Sequence, residues 1–229
     1  MKENEVILKR QSTRIFFKNG DTDFFFNWLL GIGEVFGFSH GELYYLAQKL
    51  GKSPKPDDWK NVFLSHGNYL EQKVSNSDMS EQTKAQYYLA QTYSLRSAIQ
   101  FINPFSDEYL STVHQMERAF SDAIHSLGAP VEKLTITYQD SYLPGYYLHS
   151  GNNCPTLIMV GGGDTYREDL FYFAGYPGWM RSYNVLMVDL PGQGTNPGRG
   201  LTFDVNAAIP ISLCIDWLEG RNPELNDLA

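Results

Sequence analysis

Leu157 to Val160 form a short apolar run that stops at three consecutive glycines, Gly161-Gly162-Gly163, with Asp164 after them. A second edge of the same kind follows at Val185-Leu186-Met187-Val188-Asp189-Leu190-Pro191-Gly192-Gln193-Gly194. Two apolar runs, each ending in a glycine loop and each followed by helix-like sequence, are the pattern of parallel strands in an α/β sheet. Reacting groups in such sheets gather beyond the carboxyl ends of the strands. Chemistry is therefore expected near residues 161–166 and 189–195.

The rest of the chain divides by periodicity. Residues 1–128 read as a helical domain. Asp21-Thr22-Asp23 can cap a helix running to about Gly37, and Ser39 with Glu42 has capping-box spacing for a second helix closed by Gly51. Asp57 or Asp58 starts a third, Asp78 with Glu81 a fourth, and Ser106 a fifth whose apolar stripe from Leu110 to Leu127 ends at Gly128. Residues 129–229 change pattern. Leu134, Ile136 and Tyr138 alternate with polar neighbours, Asp140-Ser141 turns the chain, and Gly145 to His149 returns as a hairpin arm. The 156–160 strand, a helical stretch over 167–182 broken by Gly175, Pro177 and Gly178, the 185–189 strand and a helix from about Asp204 to Leu218 complete the order.

Composition narrows the function classes. With 42% hydrophobic and 19% charged residues, a chain of 229 residues can build a real core. The net charge of −8 and the lack of a Lys/Arg cluster argue against a nucleic-acid partner. Phe24 to Phe38 is shorter than the roughly 20 residues of a membrane span and is interrupted by Asn27 and Glu34, so no membrane association is expected. Met1 to Glu5 is mixed in charge with no apolar core behind it, and Cys154 and Cys214 form neither a disulfide framework nor a metal spacing. These features suit a reducing cytoplasm. The five histidines are scattered, and no metal or cofactor is expected.

Three motifs carry competing readings. Gly37-Phe38-Ser39-His40-Gly41 matches the G-x-S-x-G nucleophile elbow, but that elbow requires a strand turning into a helix, and the segment before it has helical periodicity. Ser39 is therefore read as a helix cap. Gly161-Gly162-Gly163-Asp164 can aim backbone N–H groups at developing negative charge, or can be a tight turn and nothing more. Asp189-x-x-Gly192-Gln193 resembles the metal- and water-positioning loop of GTPases, yet the chain has no G-x-x-x-x-G-K-[ST] phosphate loop to go with it.

Taken in order, the Thr135–His149 hairpin, Leu157–Asp164 and Val188–Gly194 resemble the opening strands of an α/β-hydrolase. Leu143-Pro144-Gly145-Tyr146 and the long helical region narrow the likeness to the branch with acylaminoacyl-peptidase-like proteins and 2,6-dihydropseudooxynicotine hydrolase. The resemblance implies that the backbone N–H groups of Gly162, Gly163 and Asp164 contribute half of an oxyanion hole, and that the helices help cover the active site. It also places the nucleophile, acid and histidine after the next strand, in the order Ser…Asp/Glu…His, beyond the residues present here. His149 precedes that place and cannot substitute.

In that strand order Thr156–Val160 lies beside the missing strand and becomes an apolar edge. The expectation is an N-terminal portion of a serine hydrolase acting on an ester, amide or carbon–carbon bond of a small molecule or peptide. It would be inactive alone, and a C-terminal complementing chain or a second copy would be its partner. The alternative is a protein-binding scaffold with a vestigial sheet.

Overall fold

The computed structural model describes residues 13–36 and 38–221. They fall into two compact units divided between Ile102 and Asn103.

The first unit contains helices α1 (Gly20–Phe36), α2 (His40–Leu50), α3 (Pro56–Ser75) and α4 (Glu81–Ile99). Its caps are largely those its polar residues suggest. Ser39 accepts from the Glu42 N–H at 3.1 Å, satisfying one of the amides a helix start leaves open. Three starts differ from expectation, one of them that of α3, which begins at Pro56 rather than at Asp57 or Asp58, with the Lys55 N–H donating to Asp58 at 2.9 Å. Asn19, not Asp21-Thr22-Asp23, opens α1 by accepting from the amides of Asp21 and Thr22. Asp23 instead turns back and accepts from the N–H groups of Ile15, Phe16 and Phe17 at 2.7–2.9 Å. Helix α4 is capped by Ser80, which accepts from Thr83 N–H, rather than opening at Asp78.

The core of this unit is aromatic. Phe17, Phe26, Trp59 and Phe63 are all but fully buried, with Phe17 edge-on to Phe26 at 5.3 Å and Trp59 4.8 Å from Phe63. Each such side chain contributes about 1.5–3 kcal/mol through burial. Gly67 lets α3 approach α4 closely, since a Cβ there would lie 3.1 Å from Leu95.

The second unit opens with α5 (Asp107–Leu127), which sequence periodicity groups with the helices before it. Strands β1 (Val131–Tyr138) and β2 (Ser141–Leu148) form a hairpin, followed by β3 (Thr156–Val160) and β4 (Asn184–Val188). The sheet order is β1-β2-β4-β3, antiparallel in the first two pairings and parallel between β4 and β3. Gly145 sits opposite Val188, where a Cβ would lie 2.8 Å from the Met187 carbonyl oxygen, so glycine is what lets β2 and β4 pair.

Between β3 and β4 the chain forms α6 (Arg167–Leu170), a π-helical turn (Phe171–Gly175) and α7 (Tyr176–Trp179), a helix broken where its glycines and proline fall. Phe120 of α5 packs 5.0 Å from Tyr146 and 5.3 Å from Phe171 on one face of the sheet. On the other face α8 (Ala208–Arg221) buries Cys214 and Leu218 against Leu134, Ile136, Leu186 and Val188. Helix α8 starts four residues later than Asp204. Pro210 has no N–H to give an interior turn, so it must sit in the first one.

The two parallel strands are buried unequally. Every residue of β4 is buried, whereas Leu157 of β3 is 41% exposed and its other residues are partly so. Among the described residues β3 pairs with β4 alone, the edge that the strand order implied.

Candidate active site at the carboxyl ends of β3 and β4

Because β3 and β4 are parallel, the loops that leave them emerge at the same rim of the sheet. The first loop folds on itself. Thr165 Oγ1 accepts from the Gly162 N–H at 3.0 Å while Thr165 N–H donates to the Gly162 carbonyl at 3.2 Å. A Cβ at Gly161 would stand 2.5 Å from Thr165, so the tight closure depends on glycine. Gly162, Gly163 and Asp164 are exposed.

The second loop is held from within. Gln193, 5% exposed, accepts from Leu190 N–H at 2.8 Å through Oε1. Its Nε2 donates to the carbonyls of Gly161 at 2.6 Å and Gly162 at 3.0 Å, joining the two loops. Asn196 Nδ2 donates to the carbonyls of Asp189 and Leu190, both at 2.8 Å. Gly192 adopts φ 88°, and a Cβ there would lie 2.5 Å from the Phe203 ring. The same ring would be 3.3 Å from a Cβ at Gly163, so a 65% exposed aromatic face flanks both loops.

Beneath the rim lies a buried ionic cluster. Arg167 donates to Asp189 at 2.8 Å, pairs with Glu117, and has Nε 3.4 Å from Glu168, which accepts from Tyr146 OH at 2.8 Å. Arg167, Glu168 and Asp189 are each no more than 2% exposed. Burial, reinforced by Glu168 and only partly offset by Arg167, pushes the Asp189 carboxyl up to about 7. Burial likewise raises Glu168. For Glu117 burial is outweighed by Arg167 and Lys133, which hold it below the usual range. Above the cluster, Tyr109 OH lies 2.5 Å from Tyr166 OH and donates to the Gly194 carbonyl at 2.9 Å.

This geometry removes the GTPase-like reading of the second loop. Asp189 is engaged by Arg167 in the interior, and Gln193 is spent on backbone groups, so neither faces a metal or a water.

The nucleophile candidates sort equally clearly. Ser39 caps α2 in the helical unit, and Gly37 of its motif lies outside the described residues. A Ser–His–Glu set does occur there: His66 Nδ1 is 2.7 Å from Ser94 Oγ and Nε2 2.9 Å from Glu42. Ser94 is fully buried in α4 and gives its proton to the Ala90 carbonyl at 3.0 Å, so the set ties three helices together and has no attacking oxygen to offer. His149 is exposed at the end of β2, stacked on Tyr147. Among the described residues no group of three or more His, Cys, Asp or Glu could hold a metal, and no helix is long and apolar enough to cross a membrane.

Sequence reasoning located both loops but missed the residues that organise them. Arg167-Glu168-Asp169 reads as an ordinary charged helix start, and nothing local marks its burial. Gln193 is singled out by itself through the GTPase-like motif and otherwise stands unremarked within the 188–194 segment.

No protein-family model matches the chain. It is 27% identical over 218 residues to the alpha/beta hydrolase ucsC of an Acremonium species, covering 86% of this chain and 44% of that protein. It is 28% identical over 192 residues to the alpha/beta hydrolase psoB of Aspergillus fumigatus, covering 78% and 43%. The chain thus spans less than half the length of these curated relatives. Among solved structures, AbyA5 matches with a TM-score of 0.60 at 15% identity, over 86% of this chain and 51% of that one. The 2,6-dihydroxy-pseudo-oxynicotine hydrolase matches with a TM-score of 0.54 at 20% identity, over 72% and 46%. Curated relatives that carry the alpha/beta hydrolase name and the fold shared with the two solved structures support the resemblance to α/β-hydrolases whose sheet follows a helical N-terminal region.

Proposed function

We propose that this chain forms the N-terminal portion of a serine hydrolase that cleaves an ester, amide or related acyl bond, with the 161–164 loop supplying half of the oxyanion hole. The observation that carries the reading is the rim itself. It presents an exposed glycine segment after a parallel strand that, among the described residues, is paired on one side alone. Backbone N–H groups held in place before reaction stabilise an oxyanion at no cost of reorganisation. In this reading the nucleophile, acid and histidine come from polypeptide packed beside β3, and the substrate is a small molecule or peptide. The hydrolase names of the curated relatives support the reaction class.

The test is turnover of p-nitrophenyl esters. The 229-residue chain alone is expected to show none, and addition of a polypeptide carrying the second half of the relatives' fold is expected to restore it. Robust turnover by the chain alone, abolished by Ser39→Ala, would overturn the proposal. So would a monodisperse, cooperatively melting monomer that neither binds such a polypeptide nor gains activity from it.

A further inference from the structure

We infer that Gln193 is a positioning residue that presents the Gly163 N–H as the anion donor of this rim, an assignment that rests on the hydrolase reading above. The argument is one of peptide geometry. In a trans peptide unit the C=O and the following N–H point in opposite directions, and among the described residues no peptide bond is cis. Gln193 Nε2 draws the Gly161 carbonyl inward at 2.6 Å, which sends the Gly162 N–H the other way, onto Thr165 Oγ1 at 3.0 Å. It also draws the Gly162 carbonyl inward at 3.0 Å, with Thr165 N–H on the same oxygen at 3.2 Å. The N–H of that second peptide unit belongs to Gly163, and it is turned outward on an exposed residue.

One amide is therefore consumed inside the loop and the next is displayed. Gln193 is suited to this task in a way other residues are not. Its Oε1 is fixed by Leu190 N–H, so its NH2 faces the two carbonyls, and an amide side chain supplies both donors at once. A carboxylate of the same shape would set negative oxygens against those carbonyls.

The test uses Gln193→Glu, which keeps size and removes the donors. In amide-resolved hydrogen exchange on the full chain, the Gly162 amide is expected to be protected and the Gly163 amide to exchange near the open-loop rate. The variant should speed Gly162 exchange by about tenfold or more while β4 amides keep their protection. Should the variant fail to fold, Thr165→Val gives the second measurement: it frees the Gly162 amide and leaves Gly163 unchanged. With the complementing polypeptide, Gln193→Glu should lower kcat about 100-fold at constant KM, with partial recovery at acidic pH once the new carboxyl is protonated and can donate. Equal exchange of Gly162 and Gly163 in the native chain, Gly162 exchange unmoved by either variant, or a loss confined to KM would each overturn the assignment. Absence of turnover in the complemented native chain would instead refute the hydrolase reading, leaving exchange to decide the role of Gln193.

Discussion

The helical unit and the sheet unit bury different things. Around Trp59 the interior is built from aromatic rings, and the buried charges Asp23 and Arg96 sit against backbone amides and the Trp28 indole. Beneath the strand ends of the sheet unit, one guanidinium holds the buried Glu168 and Asp189 together with the partly exposed Glu117. The first interior is a packing solution that tolerates exchange of one apolar group for another. The second is an electrostatic one in which each member is costly without the rest, and it lies directly under the loops proposed to do chemistry. The difference teaches that the rim's shape is set from below, by charge, as well as from within, by Gln193.

The sharpest way to break that comparison is Arg167→Met. Removing the cation leaves buried carboxylates uncompensated, and a loss of about 3–5 kcal/mol is expected in the sheet unit. Thermal unfolding followed by the emission of Trp179 and Trp217, both in the sheet unit, with Trp28 and Trp59 replaced, would read it; a change below about 1 kcal/mol would show that the cluster is not holding the layer together.

The pH dependence of the two units should also run in opposite directions. The Asp189 carboxyl is raised from 3.8 to about 7 by burial, so the folded state holds its proton more tightly than the unfolded chain. Its contribution to stability is present at low pH and drains away as pH rises from about 4 through about 7, with Glu168 acting in the same sense. Glu117, which is lowered, opposes them at the acid end. In the helical unit, burial of Asp23 is outweighed by the amides of Phe16, Ile15 and Phe17, and its carboxyl is lowered. That contribution is present above the unfolded value of 3.8 and is lost as pH falls through the folded one. Unit-resolved hydrogen exchange at pH 5 and 7.5 should show the sheet unit losing stability with rising pH while the helical unit does not. Parallel behaviour would dissolve the contrast.

Smaller effects sharpen it further. Gly192→Ala combines a positive φ with a clash on Phe203, and about 1–3 kcal/mol should be lost from the sheet unit, as denaturant titration would show. Ser39→Ala should cost the helical unit about 1 kcal/mol as a lost cap, with no effect on turnover by the complemented enzyme.

What the sequence made legible follows the same division. Ser39, Ser106, Gly128 and the strand–glycine edges act on neighbours a few residues away, so their roles are visible in a linear reading. The starts of α1 and α4 were displaced because several capping residues stand side by side and only packing chooses among them. Pro210 held the information that places the start of α8. The cluster was illegible for a physical reason: Arg167 finds Glu117 fifty residues earlier and Asp189 twenty-two later, and burial is what converts three surface-like charges into one layer. The linkage of Gln193 to Gly161 spans thirty-two residues and leaves no periodic trace.

The chain's two thiols have unequal fates. Cys214 is fully enclosed between its own helix α8 and the sheet, and burial pushes its thiol up to about 11, so alkylating reagents should pass it by. Cys154 is only partly covered and stands two residues before β3 begins. A maleimide dye should therefore mark a single position without mutagenesis, and its fluorescence would announce the arrival of any new neighbour along the flank of β3 that faces away from β4.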